Sequence, residues 1–130
     1  MLGLVITTDD KMYKKEFGRP LFQTISDVIG GFEIVTPVGL PRPFCFMVDD
    51  KGVWKDLPVN HVGTAWYDAL PHKIHSDIVV MKKGWTVNGP DVIGLTEEEC
   101  KTVINLVYEM TDESVRLVKE PDKDPEHVVL

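Results

Sequence analysis

Few residues in this 130-residue chain have types and spacings that could do chemistry. His72 and His75 stand at a spacing that can hold a metal when both project from one helical turn. Pro71 breaks a helix at that point, and Asp77 alone does not complete a ligand set. His61 and His127 stand apart from them. Cys45 lies in Phe44-Cys45-Phe46-Met47-Val48, and Cys100 lies on the apolar stripe of a helix. A thiol becomes a nucleophile only when a base or cation favours the thiolate, so both read as small core residues. Glu97-Glu98-Glu99 brings three carboxylates together in sequence, but successive helical residues point in different directions and cannot converge on one substrate. They read instead as the acidic first turn of a helix. There is no nucleophile elbow, phosphate loop or dinucleotide fingerprint. Gly30-Gly31 follows a helical pattern where a phosphate loop would precede one. The sequence therefore assigns no catalytic residue, no metal site and no cofactor.

What remains are residues suited to recognition. Trp54 follows a turn, Trp85 follows Lys82-Lys83-Gly84, and Arg42 sits between two prolines. An aromatic beside lysines can stack on a base or anchor a protein partner. An arginine in an irregular loop can meet an anion. The candidate ligand- or partner-binding set is Arg42, Trp54, Lys82, Lys83 and Trp85. Trp66 stands at helical spacing from Val62 and reads as core.

These residues need elements to position them. Leu2–Thr7 reads as a strand, with Met12–Phe17 pairing back on it. Pro20 opens a helix that runs through Leu21, Ile25 and Ile29 to a stop at Gly30-Gly31. A strand over Phe32–Val38 follows, with Phe32, Ile34 and Thr36 on one face. Phe44–Val48, the turn Asp49–Gly52 and Val53–Leu57 read as a hairpin, with Gly52 at positive φ. Asn60 caps a helix over His61–Leu70, its inner face made by Val62, Trp66 and either Ala69 or Leu70. Ile78–Met81 is a strand that Lys82-Lys83-Gly84 ends. Trp85–Ile93 forms a small hairpin about Asn88–Asp91. Thr96 and Glu99 have the spacing of a capping box, opening a helix over about residues 97–110. Val115–Val118 is a last strand. The expected fold is α+β, a mostly antiparallel sheet with about three helices packed on it. One domain should span residues 1–118, with a charged, mobile tail over 119–130.

Composition sets outer bounds. A chain of this length buries roughly two thirds of its unfolded surface and needs no staple. Its 21 acidic and 14 basic residues give a net charge of −7, which argues against a general nucleic-acid binder. Its two unpaired cysteines suit a reducing compartment. No apolar run approaches membrane-spanning length, and Met1–Thr8 lacks the basic start of a secretory signal.

Several segments, in order, resemble one family, the domain of unknown function 3846. They are Asp27–Val35, Val48–Gly52, Leu57–Asn60, Asp77–Val80 and Val92–Glu99. Members of that family occur in phages, plasmids and bacteria. The resemblance implies a small protein of a mobile element acting in a bacterial cytoplasm. It carries over no catalytic residue.

The first functional expectation is a non-enzymatic binding protein that antagonises a host defence protein by direct contact, with a homo-oligomer as one arrangement. The alternative is a module sequestering a cyclic nucleotide or related signal, with Arg42, Lys82 and Lys83 on phosphate and Trp85 under the base. The third is an enzyme whose site is assembled from distant residues.

Overall fold

A computed structural model describes residues 1–69 and 71–121. In chain order its elements are β1 (Leu2–Ile6), β2 (Lys11–Glu16), α1 (Leu21–Ile29), β3 (Glu33–Val35), β4 (Phe44–Val48), α2 (His61–Tyr67), β5 (Ile78–Thr86), β6 (Gly89–Ile93), α3 (Glu97–Thr111) and β7 (Arg116–Leu117). The strands form one sheet in the order β3-β4-β5-β1-β2-β7, with β6 pairing the far half of β5. Among the described strands, only β7 on β2 is parallel. This is the α+β architecture expected, mostly antiparallel with three helices.

The helices lie on both sides of the sheet. Leu4, Ile6, Phe46 and Val80 point to one face and pack under α2 and α3, against Trp66, Val103 and Val107. Val5, Cys45, Met47, Val79 and Met81 point to the other and pack with Ile25 and Ile29 of α1. A strand covered on both faces must be apolar throughout instead of alternating. That is why all five residues of β4 are buried.

Local chemistry explains the helix ends. Gly30 takes φ 90 at the end of α1, a conformation glycine adopts without a Cβ penalty. The Asn60 side chain accepts from Gly63 N at the start of α2. Thr96 and Glu99 make the full capping box of α3. The Glu97–Glu99 carboxylates lie in that helix's first turn, where they complement the positive terminus.

Several boundaries differ from expectation. The hairpin over Phe44–Leu57 does not form. β4 pairs with β3 and β5, and residues 51–56 are turns with Val53 and Trp54 exposed. Gly52 does not take positive φ. It is needed for closeness, because a Cβ there would sit 1.9 Å from His75 O. The lysines do not end β5, which continues to Thr86 because they point to opposite faces of a ladder that β6 extends. α2 stops at Tyr67, ahead of Pro71, with Asp68 left-handed at φ 51. β3 is three residues long, and Ile34 on it is 38% exposed. The proposed inward role of Leu70, His127 and the 122–130 part of the tail lie outside the described residues.

Candidate functional site

β5 leaves the sheet as it runs. β4 accompanies it as far as Phe44 opposite Lys82, and Lys83 N then donates to Pro43 O at 2.9 Å. Beyond that point β5 is hydrogen-bonded to β6, with Trp85 opposite Pro90 and Thr86 opposite Gly89. The two strands form an arm. Its turn is set by Gly89 at φ 97 and by Thr86 Oγ1, which donates to Gly89 O (3.0 Å) and accepts from Asn88 N (3.1 Å). Val87 at the tip is fully exposed.

The outer edge of β6 is blunted. Pro90 has no N–H, and the Val92 N–H donates to the Asp91 carboxylate at 2.8 Å. An edge without available donors is a poor template for strand addition. Contacts along that edge must be made by side chains.

The structure brings only part of the candidate set together. Trp85 is 82% exposed, on the same face as Lys83. Lys83 Nζ meets Thr36 Oγ1 at 2.6 Å. Arg42 is exposed in the connection just before Pro43, so it borders the base of the arm. Lys82 points the opposite way. Its Nζ lies 2.7 Å from Glu99 Oε1, and both side chains are largely covered. The hydrogen bond from Lys82, aided by the Thr96 N–H, holds the Glu99 carboxyl below its ordinary range. Lys82 therefore clamps α3 to β5 and is not free to join Lys83 on a ligand. Trp54, 88% exposed, belongs to the other end of the sheet, just past the β4 terminus beside Ile78. Ile78 and Trp85 are separated by roughly 23 Å of strand, at about 3.3 Å per residue. Neither Trp54 nor Trp85 packs against the sheet.

Little in the residue pattern signals how the Trp54 loop is held. Asp49 is buried, and its Oδ2 meets Lys55 Nζ at 2.6 Å. The same ammonium donates to Gly30 O at 2.9 Å, a cation at the carbonyl end of α1. Asp49 Oδ1 accepts from Lys51 N, and Asp49 N donates to Ser76 Oγ. The loop is thus tied to α1 and to the approach to β5. The one sequence hint was the Asp-Asp-Lys-Gly turn, whose first aspartate side chain bonds within the loop, to Lys51 N and Lys55 Nζ.

His75 Nδ1 lies 2.9 Å from Leu57 O, and His72 is exposed. Among the described residues, no group of three or more His, Cys, Asp or Glu is arranged to hold a metal. No described helix is long and apolar enough to cross a membrane. Burial pushes the thiols of Cys45 and Cys100 up to about 11, so each is a neutral thiol at physiological pH. We expect neither to react with iodoacetamide at pH 8 in the native protein, and both to react in denaturant, as read by intact mass. Fast native labelling of either would show that its cover opens readily.

No protein-family model, curated protein or solved structure matches the chain.

Proposed function

We propose that this chain is a non-enzymatic binding protein that engages a partner protein through the β5–β6 arm, with Trp85 as the anchor and Lys83 and Arg42 beside it. The observation that carries the reading is the 82% exposure of Trp85 on an arm whose outer edge, β6, offers no free N–H. An indole offers a large, rigid contact area, and tryptophans dominate the energetics of many interfaces. The net charge of −7 favours a partner with a basic face. The resemblance to a family of phage and plasmid proteins supports a host defence protein as the partner class.

Photo-crosslinking from position 85 in host cells would identify the partner. Trp85→Ala should then weaken binding roughly 30-fold or more, the loss of about 2 kcal/mol typical of a hot spot. Melting temperature should not change, since the side chain packs against nothing. Undiminished binding by the variant would sink the reading.

A second reading has one observation in its favour, the shared face of Lys83 and Trp85. A nucleotide could stack on the indole with its phosphate toward Lys83 and Arg42. Engagement of Lys82 by Glu99 removes one of the cations that reading relied on. Thermal-shift screening with cyclic nucleotides separates the two, because a ligand at a hundredfold its Kd stabilises by about 2.7 kcal/mol.

A further inference from the structure

A groove of about 420 Å³ lies between α1 and β2, away from the arm. Tyr13, Lys15 and Phe17 alternate along one face of the β2 segment, and Thr24, Asp27 and Val28 of α1 stand opposite. The chain itself closes the groove. After β7, Glu120 and Pro121 line its rim, and Glu120 Oε2 lies 2.6 Å from Lys15 Nζ.

Lys15 is unusual for a lysine on an outer strand. Its side chain is only 16% exposed, and its ammonium lies 5.9 Å from the centre of the Phe17 ring. A cation that sheltered needs an anion beside it, or it remains poorly solvated. The anion comes from 105 residues away. It arrives on the segment after β7, two residues past the backbone bond from Val118 N to Met12 O. The site is built by strand and helix, and its anion is supplied by the segment that follows β7.

We infer that this groove is a docking site for an extended peptide segment of a partner protein presenting a single carboxylate side chain, and that Glu120 occupies it as a built-in competitor. The groove has a backbone segment as one wall, since Glu120 and Pro121 line it beside β2 and α1. The charges around it select the ligand. Glu16 and Asp27 also line it, so a phosphate dianion would face two negative charges. A carboxylate carries half the charge of that dianion and meets less repulsion from those acids while still pairing the lysine. The tethered Glu120 acts at an effective concentration that is millimolar for short flexible linkers. An outside peptide therefore binds with its intrinsic affinity multiplied by the fraction of molecules in which Glu120 has left Lys15.

The test uses a fluorescent peptide with the sequence of residues 117–124, titrated into the full chain. Glu120→Gln should bind it about tenfold more tightly than the unmodified protein. Adding Lys15→Met to that variant should abolish binding, and a peptide with Gln at its central Glu should be inert. Equal binding by Glu120→Gln and the unmodified chain, or indifference to Lys15→Met, would overturn the proposal. An arm that needs no variant is the amide NMR spectrum of the unmodified protein. Shifts at Tyr13, Lys15 and Glu120 under excess peptide support the site, and an unchanged spectrum at millimolar peptide refutes it. A dimer of the unmodified chain that dissociates on Glu120→Gln would assign the groove to a second copy and overturn the partner reading. Trp85→Ala should leave every one of these readings unchanged.

Discussion

Asn60→Ala should cost roughly 3 kcal/mol of folding stability, because one buried side chain ties three elements together. Asn60 is fully buried. Its amide donates to Ile6 O at the end of β1 and to Ser76 O on the approach to β5, both at 3.0 Å. Its oxygen accepts from Gly63 N and caps α2. Alanine would strand two carbonyls and one N–H where water has little access. Each orphaned buried group costs about 1–3 kcal/mol, and a lost cap about 1. Total stabilities run from about 5 to 15 kcal/mol, so the loss is a large share. A fall of roughly 10 °C in Tm is expected, with a matching drop in the urea midpoint. A loss below about 1 kcal/mol would mean that water enters and replaces the amide.

Gly52→Ala should have a comparable effect for a different reason. The new Cβ would lie 1.9 Å from His75 O and 2.8 Å from His75 C, both backbone atoms. Neither chain can move away cheaply. Ile74 N is bonded to Thr64 Oγ1, and Ser76 Oγ to Asp49 N. Gly52 also closes its own loop, with its N–H on Asp49 O and its carbonyl accepting from Leu57 N. Forced overpacking of this kind costs about 1–3 kcal/mol, and the rigid backbone on both sides places it at the upper end. Gly18→Ala is the control. Nothing lies within 4 Å of its Cβ position, so it should change stability by less than about 0.5 kcal/mol. Equal melting curves for the two variants would show that the contact at Gly52 relaxes freely.

Whether an element could be read from sequence depended on the distance over which its determinants act. The capping box of α3, the Gly30 stop and the Asn60 cap are settled within four residues, and all three were legible. The hairpin after Phe44 was misread because Asp49–Gly52 has the composition of a hairpin turn, while the true partners of β4 come from residues 33–35 and 79–82. The better signal was the unbroken apolar run Phe44–Val48, which marks a strand covered on both faces and so needing neighbours on both edges. The candidate site divided for the same reason. Alternation along β5 separates Lys82 from Lys83, and that follows from sequence once the strand is known to continue. The bond from Lys83 N to Pro43 O, which places Arg42 near the arm, joins distant segments and left no local trace. The groove was half legible. Tyr13-x-Lys15-x-Phe17 reads as a lysine between aromatics on one strand face, but nothing near it announces Glu120.

One consequence of β5 is mechanical. The strand begins in the middle of the sheet, held by β1 and β4 along Ile78–Lys82, and ends as one side of the arm. A force applied at Trp85 is directed along that strand. The cross-strand bonds on its two flanks lie perpendicular to the pull, so they resist in shear and must yield together. The same force at β7, held to β2 over two residues, would peel the edge one bond after another. For a pull along its strand, the end that presents Trp85 is thus better able to bear a load than the β7 edge.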